Sequence, residues 1–335
     1  MAIIEAERLT KIYRNVTRKK GLKGALTNLF YREYEEIKAV DGISFQIESG
    51  ELIGYIGSNG AGKSTTIKML TGILIPTSGN LQVSGFVPYR QRNDYTRQIG
   101  VVFGQRTQLW WDIPVIESFK LLQKVYQIPK PNFKKCLSMF IDLLELSDLL
   151  NIPVRKLSLG QRMRCDLVAS MLHSPKVLFL DEPTIGLDVI GKLRIREFLG
   201  KINREMGVTM ILTTHDLKEI EELCQRLLII DHGKILFDGG VAELRDRYTL
   251  DRFIIFQLTE AISMDKLKTE MGFNGRAHWE NVDPLRLKVT FNKDRLKPAE
   301  IIENVLKRFP VHDITIEEPS IDAIVGRIYS TGNVA

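Results

Sequence analysis

"LIGYIGSNGAGKSTTIKMLTG", residues 52–72, is the stretch whose reading decides the fold. A short apolar run, LIGYI, leads into Gly57, Ser58, Asn59, Gly60, Ala61, Gly62, Lys63 and Ser64, and an apolar-periodic helix follows. The spacing G-x-x-x-x-G-K-[ST] between a strand and a helix is that of a phosphate-binding loop. Glycines let successive backbone N–H groups curl around phosphates, and a helix N-terminus adds its positive dipole end. Residues 58–65, Thr65 included, are therefore expected to hold a nucleotide. Lys63 is expected to reach the β- and γ-phosphates, with the Ser64 hydroxyl toward Mg²⁺.

A second apolar run, in "KVLFLDEPTIGLD" (176–188), has the continuous hydrophobicity of a strand buried on both faces. It ends in Asp181 and Glu182, which puts two carboxylates at the carboxyl edge of a parallel sheet, where ligands sit. Asp181 suits the shell of Mg²⁺, and Glu182 suits a base that polarises an attacking water. An apolar run ending in Asp-Glu says little alone; downstream of a phosphate loop it says much.

Between the two lies "KLSLGQRMRCDLVASMLHSP" (156–175), where a Ser and a Gly open a helix with Leu167, Val168, Met171 and Leu172 on one side. With this stretch the chain resembles the nucleotide-binding subunits of ABC transporters over roughly residues 2–240. The family signature is usually LSGGQ; here Leu159 replaces a glycine, while Ser158, Gly160 and Gln161 are retained. The resemblance implies that Tyr13 stacks on adenine and that Gln105 is the glutamine that touches Mg²⁺ or water and senses a transmembrane partner. It implies that Gly186, Leu187 and Asp188 form the D-loop, with Asp188 at the nucleotide, and that His215 is the switch histidine that contacts the γ-phosphate. It also implies ATP as ligand and a head-to-tail homodimer, in which Ser158 of one copy meets the nucleotide of the other. The other histidines, His173, His232, His278 and His312, match no such position.

The expected fold is α/β, a P-loop NTPase with a RecA-like core, an antiparallel β-subdomain and a helical subdomain at about 106–172. The nucleotide-binding domain is expected over residues 1–244, and a small α+β domain over 245–335. Residues 2–13 and 38–56 read as paired strands. Trp110 and Trp111, just behind Gln105, fit either the core of the helical subdomain or a pocket wall for a membrane partner. In the last segment, RFIIFQL, RLKVTFN and HDITIEE read as strands, and residues 298–309 and 319–330 as helices, without a ligand or nucleophile constellation.

Composition narrows the class. The chain has 335 residues, 44% of them hydrophobic, enough for a sizeable core in two domains, and no apolar run approaches the ~20 residues of a bilayer span. Its first residues, MAIIEAERLTKIY, lack a signal-peptide pattern, so the cytoplasmic side of the membrane is expected. Three cysteines, Cys136, Cys165 and Cys224, are too few and too scattered for a disulfide framework. The net charge is +6, and five basic residues in "RNVTRKKGLK" (14–23) account for most of it. Leu22, Ala25, Leu26, Leu29 and Phe30 follow at helical spacing, which fits either residues 14–37 lying against the membrane surface or a solvated helix packed on the chain's own β-subdomain.

One phosphate loop and no long coiled coil argue against the translation-factor and DNA-repair members of the family, and hence against a nucleic-acid partner. The motif wording resembles exporters with separate ABC-2 type permeases, including those named for drug and viologen export. The long 14–37 insertion resembles teichoic-acid and O-antigen exporter ATPases. Drug- or lipid-like cargo is expected ahead of polysaccharide, with an importer ATPase or a soluble non-transport ABC ATPase as the remaining alternatives.

Overall fold

The computed structural model describes residues 2–17, 33–104, 106–248, 251–262, 267, 277–292, 294–317 and 319–331. Gln105 and residues 18–32 of the insertion lie outside the described residues. The chain divides into two compact units, Met1–Gly239 and Gly240–Ala335.

In the first unit, β1 (Ala2–Thr17), β2 (Glu33–Glu48), β3 (Leu52–Gly57), helix α1 (Lys63–Leu70), β4 (Ser78–Val83), a one-turn helix α2 (Arg92–Tyr95) and β5 (Ile99–Phe103) come first. Helices α3 (Val115–Val125), α4 (Lys130–Leu144) and α5 (Leu159–Met171) form the helical segment. Then come β6 (Val177–Asp181), α6 (Val189–Met206), β7 (Thr209–Thr213), α7 (Leu217–Leu223), β8 (Arg226–Asp231) and β9 (Lys234–Gly240).

Two sheets result. One has three strands in the order β2-β1-β4, with antiparallel pairing; the other has six, in the order β5-β6-β7-β3-β8-β9. The pairs β5–β6, β6–β7, β7–β3 and β3–β8 are all parallel. Strands with both faces covered must be apolar on both, and β6, β7 and β8 are buried almost throughout. In β1 the buried residues are Ile4, Ala6 and Leu9, and the register shifts between Ala6 and Leu9, where Arg8 takes a positive φ. The expected pairing of 38–56 with 2–13 holds only as far as Glu48, since Leu52–Gly57 joins the parallel sheet. The hairpin also runs further than expected, pairing Arg14 with Glu36 and Thr17 with Glu33, so both flanks of the 14–37 insertion are strand.

The amino edge of the parallel sheet is tied by side chains. Arg226 is held between Glu51 at 3.1 Å and Asp238 at 2.8 Å. Asn203 Nδ2 donates to Gly50 O at 2.8 Å, and Gly50 N donates to Thr209 Oγ1 at 2.9 Å.

The second unit holds α8 (Val241–Tyr248), β10 (Asp251–Leu258), β11 (Ala277–Asp283), β12 (Arg286–Asn292), α9 (Pro298–Leu306), β13 (Val311–Glu317) and α10 (Ile321–Thr331). Its four strands run in the order β11-β12-β10-β13, each pair antiparallel. Alternate residues of β10 and β12 (Ile254, Phe256, Leu287, Val289) turn inward onto Ile301 and Val305 of α9. Strand β11 has no counterpart in the strands expected from sequence, because its residues are mostly exposed and carry no apolar alternation. The division falls five residues before the expected break at 244/245, since α8 packs on α10 within the second unit.

Candidate active site

Strand β3 delivers the phosphate loop. Ser58 Oγ donates to Asp231 Oδ1 at 2.6 Å, anchoring the loop to the end of the neighbouring strand β8. Gly62 has φ +107, and any side chain there would collide with the carbonyl oxygen of Ala39. Helix α1 starts directly after it with no side-chain cap, so its first backbone N–H groups face the loop rather than a capping oxygen. Lys63 Nζ donates to Gly57 O at 2.6 Å and Ser58 O at 3.0 Å, which folds the lysine over the loop. Burial holds its ammonium below the ordinary pKa, against the opposing pull of Glu182 and then Asp181.

Two clefts adjoin this loop. One is lined by Ala39, Ser58, Asn59, Gly60, Gly62, Lys63, Ser64, Thr65 and Glu182. The other, of about 410 Å³, brings Ser64 together with Asp181, Glu182, Gly104 and Arg106. The parallel register explains this gathering, because Phe103, Asp181 and Thr213 sit side by side at the ends of β5, β6 and β7. Thr213 Oγ1 donates to Asp181 Oδ1 at 2.6 Å and fixes the carboxylate. Glu182 adopts φ +54, a backbone region that costs a non-glycine residue free energy. It is held there by its N–H, which donates to Thr213 O at 3.0 Å and Thr213 Oγ1 at 3.2 Å. His215 Nδ1 lies 3.7 Å from Glu182 Oε1.

Of the other expected residues that the structure describes, Tyr13, Ser158, Gly160, Gln161, Asp188 and His215 line neither cleft. Tyr13 lies opposite Ile37 in the β1–β2 hairpin, with the Lys11 ammonium 5.6 Å from its ring centroid. Ser158 and Gln161 form a reciprocal cap on α5: Gln161 N donates to Ser158 Oγ at 3.3 Å, and Ser158 N donates to Gln161 Oε1 at 2.9 Å. Asp188 caps α6 by accepting from Gly191 N at 2.7 Å. Gly186 has φ +70, and a side chain there would place its first carbon 2.8 Å from Leu159 Cδ2. Leu159 thus rests on the loop that precedes Asp188. Trp110 and Trp111 are about half exposed, with the Arg162 guanidinium 4.6 Å from the Trp111 ring centroid.

The comparisons with known proteins follow the same geography. A family model described as ABC transporter matches residues 40–185. The linearmycin resistance ATP-binding protein LnrL of Bacillus subtilis (strain 168) is 29% identical over 88% of this chain and 94% of its own length. The methionine import ATP-binding protein MetN of Latilactobacillus sakei subsp. sakei (strain 23K) is 28% identical over 89% and 86%. The bacitracin transport ATP-binding protein BcrA of Bacillus licheniformis is 31% identical over 68% of this chain and 72% of its own. The chain belongs to the ABC transporter family. A solved structure, cbiO1 from Clostridium perfringens, described as part of the ABC transporter complex cbiONQ, overlays with a TM-score of 0.59. It is 26% identical and covers 72% of this chain and 90% of that one.

As an ATP-binding subunit of this family the chain is an ATPase, and its fold is that of a P-loop NTPase. Sequence reasoning missed two buried acids of this ABC ATPase. Asp166 on α5 accepts from Thr107 Oγ1 at 2.8 Å and Gln108 N at 3.0 Å, and burial pushes its carboxyl up to about 6. Glu219 on α7 is 1% exposed. An acid within the apolar run CDLVASM was the available signal for Asp166; for Glu219 there was none beyond its neighbours.

Proposed function

We propose that this ABC ATPase powers export through separate permease subunits of the ABC-2 type, as a homodimer closed by ATP at the cytoplasmic side of a membrane. The observation that carries the catalytic half is the meeting of Ser64, Asp181 and Glu182 in one cleft, with His215 beside Glu182. In this reading the N–H groups of residues 58–65 and Lys63 cradle the phosphates, and Tyr13 stacks on the adenine. Ser64 and Asp181 are hard oxygen donors on one cleft, which fits Mg²⁺, with Gln105 as a further ligand. Bound there, Mg²⁺ would neutralise charge on the β- and γ-phosphates. Glu182 accepts a proton from the attacking water, and His215 steadies the γ-phosphate. Ser158, Gly160, Gln161 and Asp188 act on the nucleotide of the opposite copy, which makes ATP the link between two chains and hydrolysis their release.

Relatives named for linearmycin resistance and bacitracin transport support a drug- or lipid-like cargo. The long interval between Tyr13 and Val40 supports the alternative of a polysaccharide exporter. The methionine import relative, matched over most of both chains, favours a third reading as an importer. Among the described residues no helix is long and apolar enough to cross a membrane. We place residues 14–37 near the permease entrance at the membrane surface. Deleting residues 16–35 should then impair coupled transport more than basal ATPase, whereas equal loss would mean a folding role. Co-purification of the chain with the permeases encoded beside it, and stimulation of ATPase by candidate cargo, tests the export reading. Dependence on a substrate-binding lipoprotein would overturn it.

A further inference from the structure

Glu219 lies on α7, four residues after His215, and is 1% exposed. Its Oε2 accepts two hydroxyl hydrogen bonds, from Thr184 Oγ1 at 2.8 Å and from Thr214 Oγ1 at 3.0 Å. Thr184 is two residues beyond Glu182 on the loop after β6, and Thr214 immediately precedes His215 on the loop after β7. A single buried oxygen therefore joins the two loops that carry the water-polarising carboxylate and the switch histidine. The other oxygen, Oε1, has no hydrogen-bond partner among the described residues and stands 3.9 Å from Lys192 Nζ. Lys192 lies on α6, in the first turn after Asp188, and also pairs with Asp216 at 2.7 Å. Burying an acid is costly unless bonds offset it, so the two threonine hydroxyl bonds to Oε2 are what hold this side chain, and through it the two loops, in place.

We infer that Glu219 is a positioning residue for ATP hydrolysis, holding Glu182 and His215 in register through Thr184 and Thr214. The inference rests on the reading of Glu182 and His215 as the catalytic pair. Lys192 sets a positive charge from the first turn of α6 beside the same carboxylate, so the far end of the Glu182 loop, at Asp188, also borders it. Neither threonine nor Glu219 lines the clefts at the phosphate loop, so removing the link changes the geometry of catalysis and not the surface that binds nucleotide.

The test is steady-state ATP hydrolysis by the full chain, with nucleotide affinity and the urea unfolding midpoint measured on each variant. Glu219→Met removes the acceptor; Glu219→Gln keeps one oxygen able to accept both hydroxyls. Misplaced catalytic groups lose rate steeply, so Glu219→Met should lower kcat on the order of tenfold or more. Its KM should stay within about threefold of wild type, and Glu219→Gln should recover most of the rate. Should Glu219→Met not fold, Thr184→Val and Thr214→Val carry the comparison, each expected to lose rate that the Thr→Ser counterpart retains. Wild-type kcat in the Met or Val variants overturns the inference, and so does a loss that Gln or Ser fails to recover. Glu182→Gln runs alongside: if it keeps full turnover, the catalytic reading falls and takes this inference with it. If it abolishes turnover while Glu219→Met does not, only the inference falls.

Discussion

Glu182 Oε1 and His215 Nδ1 stand 3.7 Å apart across the ends of two adjacent parallel strands, and the glutamate holds a positive φ to be there. In the proposed reading this pair acts on the attacking water and the γ-phosphate, so it bears on turnover more than on nucleotide affinity. Glu182→Gln keeps the size and the hydrogen-bonding reach of the side chain but not its basicity. It is expected to bind ATP, accumulate as a dimer and lose on the order of 10²-fold or more in hydrolysis rate. Phosphate release and light scattering in the presence of ATP check this; hydrolysis at the wild-type rate would remove Glu182 from the role of base.

Tyr13 gives a prediction about affinity. Stacking of a base on an aromatic ring contributes about 1–3 kcal/mol, so Tyr13→Ala should weaken ATP binding by roughly 5- to 150-fold. Tyr13→Trp should restore it. Because the ring would stack on the base and not on the phosphates, kcat at saturating ATP should change little. Nucleotide titration followed by fluorescence or calorimetry measures both variants, and unchanged affinity in Tyr13→Ala would place the base elsewhere.

The contact between Leu159 and Gly186 predicts a rescue. Gly186→Ala faces both a left-handed backbone at φ +70 and a methyl group 2.8 Å from Leu159 Cδ2. The backbone part costs about 1–2 kcal/mol and remains in any background. The steric part should vanish in Gly186→Ala/Leu159→Gly. Urea midpoints of the two single variants and the double variant form a cycle, and strict additivity would show that the leucine moves aside freely.

Asp166 gives a pH dependence whose sign is fixed by its burial. Its carboxyl is raised from 3.8 to about 6, chiefly by burial, against hydrogen bonds from Thr107 and Gln108 and the charge of Arg162. The folded chain therefore holds this proton more tightly than the unfolded chain. Stability attributable to the group is highest at low pH and falls as pH rises through the folded value. Asp166→Asn removes that penalty and keeps an oxygen for Thr107 and Gln108. Its stability relative to wild type should therefore climb by a few kcal/mol between about pH 4 and pH 7. Denaturant midpoints across that range decide it; a difference that stays flat with pH would mean that Asp166 does not titrate there.

These sites differ in how far the sequence discloses them. The runs LIGYI and VLFL are apolar throughout, short and followed by loop residues, as a strand covered on both faces requires, so β3 and β6 are readable with their loops. The assembly of Ser64, Asp181, Glu182 and His215 follows, because each ends or follows a strand of one parallel sheet. Glu219 is different. It stands in DLKEIEEL beside Glu221 and Glu222, and the rotation of α7 against the sheet decides which of the three is buried. That rotation is set by tertiary packing, and the local pattern carries no trace of it. Strand β11 escapes for the opposite reason, being an edge strand whose residues are mostly exposed and carry no apolar alternation. The part of the insertion at 18–32 and Gln105 lie outside the described residues and enter only as proposals.

The parallel sheet has one edge that ends in Asp181, Thr213 and Gly57, and an opposite edge locked by Arg226, Glu51 and Asn203. The strands between are about five residues long, so the two edges share the same rigid bodies while doing unrelated work. Harm to Arg226 or Asn203 should appear in cells as less protein, with each surviving molecule working at its normal pace. Harm a few residues further along the same strands should leave protein levels intact and slow every molecule. Measuring abundance and activity separately for substitutions along β3, β7 and β8 would read position in this sheet directly as phenotype.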